Sequence, residues 1–271
     1  MMRIAVVAPS CRLNEAAAGQ VEAIVAARGD ATLLIHPQCF ESAGHFAGSD
    51  AVRLAAFREI MADPAVDAIW FARGGYGSNR IAEEVVADLP AAARRKSYLG
   101  YSDAGFLLAG LQRAGCDVAH GPMVQDVLRD EGEAAVSRAL DWLTRRDPGA
   151  LEPGLAGPAM AFNLTVLSNL LGTPLEPDFT GVELLIEDVA EHLYRIDRMM
   201  FHLVGSPAIG RVRQIRLGRI SEVPANDPMW GGDATAIVAD WCARAGIAFG
   251  GGADIGHDVH NRVVRFPLAP S

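Results

Sequence analysis

The sequence predicts an α/β protein in two parts: a mainly parallel sheet covered by helices on both faces, then a smaller α+β or barrel-like unit. Three observations predict it. Apolar runs of strand length alternate with stretches of helical period through the first half. A break rich in Pro and Gly follows, where Arg145-Arg146-Asp147-Pro148-Gly149 leads to Pro153, Gly154, Gly157 and Pro158. Beyond it strands recur with fewer and less regular helices. The first domain is therefore assigned to residues 1–148, the linker to 149–158 and the second domain to 159–271.

Each element has its own signal. Residues 3–8 form an apolar run bounded by Pro9, hence a strand; residues 14–28 are alanine-rich and stop at Gly29, hence a helix. Residues 31–36 return to strand, and Ser49-Asp50 opens a helix to about residue 62, punctuated by Pro64. Residues 68–72 read as a buried strand, followed by the loop Arg73-Gly74-Gly75-Tyr76-Gly77-Ser78-Asn79 and a helix to about residue 87. The stretch that opens with Ser97-Tyr98-Leu99-Gly100 begins as a short buried strand. It continues as a helix carrying Phe106, Leu107, Gly110, Leu111 and Ala114 on one face, with Gly115 placed to stop it. Residues 117–120 are another strand, and helical patterns containing 124–128 and 133–143 close this half. After the break come a helix over 163–171 ended by Gly172, a strand over 182–187, a helix from about 194 to 204 and a strand over 213–220. A helix over 234–245, a short strand over 247–249 and an edge strand over 263–268, limited by Pro267, complete the chain.

Composition removes several classes of function. The chain is 271 residues long, half hydrophobic and 21% charged, as soluble globular proteins are. A net charge of -9 argues against non-specific nucleic-acid binding. Cys11, Cys39, Cys116 and Cys242 lie far apart with no C-x-x-C, which suggests neither a disulfide framework nor a zinc knuckle. The N-terminal apolar run is too short for a secretory signal, and no run reaches the roughly 18 apolar residues of a membrane span. A soluble cytoplasmic protein is expected, without a membrane partner. Neither a dinucleotide fingerprint nor a Walker pattern is present, so no cofactor is expected.

Ser102 stands where a strand turns abruptly into a helix. A hydroxyl there is lifted out of the sheet, and the backbone N–H groups that follow attract negative charge. On this stretch alone, a capping role for Ser102 or Asp103 outweighs that of a nucleophile. A nucleophilic serine needs a base and a group to orient the base. Of the seven histidines, His257 has the most suggestive context, after the glycine-rich run Gly250-Gly251-Gly252-Ala253-Asp254-Ile255-Gly256; the alternative is a solvated imidazole. His257-Asp258-Val259-His260 lacks a third metal ligand at useful spacing, and no metal site is expected. For the orienting carboxylate, Glu187 ends an apolar strand, but sequence separates it only weakly from Asp188. The loop over 73–79 can present a backbone N–H, for instance that of Gly75. With the N–H of Asp103 it would make a two-donor oxyanion hole, each donor worth about 3 kcal/mol.

Five stretches in order carry a resemblance. They are Ala72-Arg73-Gly74-Gly75-Tyr76-Gly77-Ser78-Asn79-Arg80, Gly100-Tyr101-Ser102-Asp103, His120-Gly121-Pro122-Met123, Asn163-Leu164-Thr165-Val166-Leu167 and Glu187-Asp188-Val189-Ala190-Glu191-His192-Leu193-Tyr194-Arg195-Ile196-Asp197-Arg198, with Gly256-His257 following. Together they resemble the LD-carboxypeptidases, serine peptidases of the group that also holds the microcin C immunity carboxypeptidases. The resemblance moves Ser102 from cap to nucleophile. It implies a triad of Ser102, Glu187 and His257 with oxyanion donors at the N–H groups of Gly75 and Asp103. It further implies a Rossmann-like N-terminal domain, a swivelling barrel-like C-terminal domain and a homodimer. The implied activity is release of the terminal D-alanine from murein tetrapeptides or anhydromuropeptides in cell-wall recycling. Arg73, Arg195 and Arg198 are candidates for binding the terminal carboxylate, with Tyr76 and Asn163 as further substrate contacts. The chain departs from the family pattern in stopping soon after His257, at Phe266-Pro267-Leu268-Ala269-Pro270-Ser271, and in being compact between Ser102 and Glu187. Two alternatives stay open. One is a peptide–nucleotide carboxypeptidase of microcin type, for which Trp230 is the aromatic free to stack on a base. The other is a non-catalytic protein that binds a small anion.

Overall fold

Alternation along the first strand decides how the first half closes. The computed structural model describes residues 1–269. In it β1 (Met2–Val7) sends Ala5 and Val7 into one apolar cluster and Ile4 and Val6 into another on the opposite face, all fully buried. A strand buried on both faces needs helices on both sides. α1 (Glu15–Arg28) and α5 (Gly132–Arg145) cover one face; α2 (Asp50–Ala62), α3 (Asn79–Ala87) and α4 (Gly105–Arg113) cover the other. Between them run β2 (Ala31–Ile35), β3 (Ala68–Phe71), β4 (Ser97–Gly100) and β5 (Asp117–His120), all parallel in the order 2-1-3-4-5. Local signals set the boundaries. Asn14 caps α1 through the Ala16 N–H at 2.8 Å, and Gly29 closes it in the left-handed region at φ 67.

The second half alternates as regularly as the first. β6 (Ala159–Asn163), α6 (Leu164–Leu170), β7 (Glu183–Val189), α7 (Leu193–Gly205), β8 (Gln214–Ser221), α8 (Ala234–Ala245) and β9 (Phe249–Gly252) build a four-stranded sheet in the order 6-7-8-9, parallel throughout. The sequence predicts an α+β or barrel-like unit here; the sheet is instead open and parallel, because a helix follows each of its first three strands. One apolar cluster joins Phe106 and Leu107 of α4 to Phe162, Val166, Leu167 and Leu184 across the two sheets. The two halves therefore share a core, and their facing loops are held in fixed relation.

Four elements differ from expectation. β6 is absent from the sequence reading because it lies directly behind Pro158 and ends in Asn163, whose side chain caps the following helix. β9 starts where the expected strand ends and runs through the glycines. A Cβ at Gly250 would stand 2.8 Å from Arg216 Cγ and Gln214 Cδ, so glycine lets this edge lie against β8 with those two side chains where they are. Residues 124–128 form a tight 3-10 turn. β10 (Val264–Arg265) is two residues long and joins the first sheet, antiparallel to β5 with Val264 opposite His120. Of the expected terminal strand and tail, Pro270 and Ser271 lie outside the described residues. The break over 149–158 is pinned: Leu151 bridges to Val263, and buried Glu152 accepts from Arg216 at 2.9 Å and from the Asp254 N–H at 2.8 Å. Among the described residues, no helix is long and apolar enough to cross a membrane.

Close packing at the end of β4 has a measurable consequence. A Cβ at Gly100 would lie 2.5 Å from Phe71 Cδ2, in a layer where Phe71 is fully buried. Gly100→Ala is expected to destabilise the fold by about 1–3 kcal/mol, read as a lower urea midpoint at unchanged slope.

Candidate active site

Ser102 follows β4 by two residues and adopts φ 59, in the left-handed region. A non-glycine residue held there costs about 1–2 kcal/mol, so its neighbours must enforce it. They do so from both sides. Tyr101 is buried, and its hydroxyl donates to Asp126 Oδ1 at 2.9 Å. Asp103 is buried too, and its Oδ2 accepts from the Ser10 hydroxyl and from the Ser78 N–H at 2.8 Å, while the Ser78 hydroxyl donates to the Asp103 carbonyl. Burial pushes the Asp103 carboxyl up, against the pull of those hydrogen bonds. Asp103 thus fastens the 73–79 loop to the turn that carries Ser102. Gly74 lies in contact with Ser102: a Cβ there would be 3.0 Å from its Oγ. The Gly75 N–H has no hydrogen-bond partner among the described residues. The sequence offers Asp103 as a helix cap or as an N–H donor; what its carboxylate does instead depends on partners 25 and 93 residues away.

Glu187 is aimed by an irregularity. β7 pairs with β8 as Ile186 with Leu217 and then Asp188 with Ile220, so Glu187 faces two residues, Gly218 and Arg219. Such a bulge re-aims a side chain. Gly218 also lets the chain carrying His257 pass: a Cβ there would be 2.6 Å from the Ile255 carbonyl oxygen and 3.1 Å from Glu187 Cβ. The Glu187 Oε2 then lies 2.6 Å from His257 Nδ1, and His257 Nε2 lies 2.9 Å from Ser102 Oγ. A carboxylate only accepts, so Nδ1 carries the proton and Nε2 is left to accept from the serine hydroxyl. Both ring nitrogens are thereby engaged, leaving no lone pair for a metal. Among the described residues, no group of three or more His, Cys, Asp or Glu side chains is placed to hold one.

The loop bearing His257 is fixed from several directions. The Tyr101 ring packs on the imidazole at 4.9 Å between centroids. Asn261 Oδ1 accepts from the Gly256 N–H at 3.2 Å and lies 3.0 Å from Nε2 of buried His120. Since that oxygen only accepts, His120 is the Nε2–H tautomer, and burial holds its pKa below the ordinary value. Arg219 pairs with Asp258, with Nη2 to Oδ1 at 2.9 Å. Burial opposes a charge on His257, but Glu187 outweighs it and raises the imidazole above its usual 6.5. A base must be unprotonated, so any reaction it serves rises with pH. The acid limb of kcat/KM is expected to have its midpoint above 6.5, a value measurable from a pH–rate profile.

A cavity of about 550 Å³ opens onto Ser102, lined also by Gly75, Tyr76, Asn79, Asn163 and Asp188. Asn163 is committed at both ends of its amide, to the Val166 N–H at 3.0 Å and to Asp188 at 2.7 Å. Asp188 turns away from His257 to the start of α6, where Thr165 donates to it from N–H and hydroxyl; burial and then the Glu187 charge push it up to about 6. No lysine or arginine lines the cavity among the described residues. Arg73 lies in a separate depression with Arg12, Asn14 and Glu15. Arg195 pairs with Glu191 at 3.2 Å, and Arg198 stands over the Tyr194 ring. Trp230 is partly exposed and does not line the cavity.

Two family models cover the chain: the LD-carboxypeptidase N-terminal domain matches residues 4–121 and the LD-carboxypeptidase C-terminal domain residues 156–267. The chain is a member of the LD-carboxypeptidase family. It is 33% identical over 270 residues to a putative carboxypeptidase of Synechocystis, covering 97% of this chain and 88% of that one. It is 28% identical to the murein tetrapeptide carboxypeptidase of Pseudomonas aeruginosa, covering 68% of this chain and 65% of that one. Its fold is similar to that of muramoyltetrapeptide carboxypeptidase from Oxalobacter formigenes, at a TM-score of 0.83 and 24% identity over 98% of this chain and 96% of that one. It is also similar to that of the microcin C7 self immunity protein MccF, at 0.76 and 17% identity over 99% and 96%. As in other LD-carboxypeptidases, an N-terminal and a C-terminal domain make up the chain; the Ser102–His257 hydrogen bond crosses between the stretches the two models match, while the His257–Glu187 bond lies within the second.

Proposed function

We propose that this LD-carboxypeptidase hydrolyses the L,D peptide bond that releases terminal D-alanine from murein tetrapeptides. The observation that carries the reading is the unbroken hydrogen-bond chain from Ser102 through His257 to buried Glu187, at the wall of a peptide-sized cavity. Ser102 Oγ attacks the scissile carbonyl carbon as its proton passes to His257 Nε2. Glu187 holds the imidazole in the accepting tautomer and balances the imidazolium that forms. The carbonyl oxygen becomes an oxyanion that the N–H groups of Gly75 and Asp103 bind. His257 then gives the proton to the departing amine, D-alanine leaves, and water hydrolyses the acyl-enzyme by the same steps. Tyr76, half exposed at the lip, is the substrate contact in this reading. With Arg73, Arg195 and Arg198 standing off the cavity, neutral donors such as Tyr76 and Asn79 receive the terminal carboxylate. A cytoplasmic homodimer acting in cell-wall recycling belongs to the same reading.

The test is incubation with a tetrapeptide ending in D-alanine beside its L-alanine epimer, with free alanine measured over time. Release from the D form alone supports the reading. No release from either, in protein that binds the peptide, would favour a small-ligand binder instead.

A further inference from the structure

A second nucleophile–base pair lies outside the Ser102 site. Cys11, in the loop after β1, has its Sγ 3.2 Å from His45 Nε2. Its sulfur packs under the glycine loop: a Cβ built on Gly75 would lie 2.4 Å from Sγ, and the Cys11 N–H donates to the Gly74 carbonyl at 3.4 Å. Gly75 sits at φ 109, a conformation that glycine adopts readily and residues with a Cβ rarely do. The His45 ring neighbours Tyr76 of the cavity lip at 6.3 Å between centroids. Cys11 is also the least enclosed of the four thiols, at 7% exposure beside an exposed His45, against 0–1% for the others. Burial pushes Cys39 up to about 12 and Cys116 and Cys242 to about 11, which disfavours their thiolates.

We propose that Cys11 is a modification site for small hydroperoxides, with His45 as its base, and that its oxidation shuts the Ser102 site by displacing Gly75. The second clause rests on Gly75 as an oxyanion donor. In the reaction, Cys11 gives its proton to His45 Nε2 and the sulfur attacks one peroxide oxygen. The O–O bond breaks, and the departing hydroxide (from hydrogen peroxide) or alkoxide (from an organic hydroperoxide) takes the proton back as water or alcohol. The sulfur is oxidised by two electrons to a sulfenic acid and the peroxide is reduced. The sulfur already fills the space beside Gly75, so the enlarged group presses on the loop when its oxygen turns to that side. A dithiol reductant restores the thiol.

The experiment treats the folded chain with hydrogen peroxide and traps sulfenic acid with dimedone before peptide mapping by mass spectrometry. Cys11 is expected to label at least about 10-fold faster than each of the other cysteines, and His45→Ala to slow that labelling by a similar factor. Release of D-alanine is expected to fall about 100-fold on oxidation and to recover with dithiothreitol. Cys11→Ala, whatever its own rate, should show the same rate before and after peroxide. Labelling of Cys11 no faster than the rest, or indifferent to His45→Ala, overturns the site. Labelling with turnover intact overturns the displacement of Gly75. Absence of turnover in untreated protein strikes the peptidase reading and leaves the labelling result standing.

Discussion

Ser102→Ala is expected to reduce D-alanine release by at least about 10⁴-fold, to the level of background hydrolysis. The hydroxyl is the group that forms the covalent bond, and among the described residues no other hydroxyl is hydrogen-bonded to His257 Nε2. The variant should still fold. Its backbone is held in the left-handed region by Tyr101 on one side and Asp103 on the other, and both anchors remain. A urea midpoint close to that of the parent, with turnover lost, separates chemistry from stability. Turnover that persists would remove Ser102 from the mechanism altogether.

Glu187→Gln is expected to lower kcat by about 10⁴-fold while changing KM little. Glutamine is nearly isosteric, so the buried site is not emptied. Its amide nitrogen donates, however, and a donor facing Nδ1 forces the proton to Nε2, the nitrogen that must accept from Ser102. The same variant moves two titrations. His257 loses the carboxylate that contributes most to raising it, while burial still opposes its charge, so its midpoint falls below that of the parent. Asp188, pushed up to about 6 by burial and by Glu187, keeps only the first of these and also falls. Proton NMR of the imidazole and the pH dependence of stability report them separately. The sign for Asp188 is fixed by linkage. A carboxyl raised on folding stabilises below its usual 3.8, and that contribution is lost as pH rises to about 6; in Glu187→Gln the loss is complete at lower pH. An unchanged His257 midpoint would mean that Glu187 does not govern the imidazole.

What sequence resolved was whatever neighbours a few residues apart decide. The two-sided apolar character of residues 3–8 requires helices on both faces, Asn14 and Ser49 mark helix starts, and Ser102 stands visibly between a buried strand and a helix. His257 could be preferred over six other histidines because its glycine-rich approach is local as well. Glu187 and Asp188, by contrast, stayed equivalent in the sequence. The bulge opposite Gly218 and Arg219 separates them, sending one carboxylate to His257 and the other to the start of α6. The arginines that the sequence offered for the terminal carboxylate stand elsewhere: Arg195 pairs with Glu191, just ahead of its helix, and Arg73 lies in a different depression. By itself, then, the chain's periodicity determined the order and type of most elements, because helix and strand preferences act over one or two turns. Only the tertiary structure decided which groups meet. The bond from His257 to Ser102 spans 155 residues, and its length depends on how two sheets share one core rather than on any stretch of neighbouring residues.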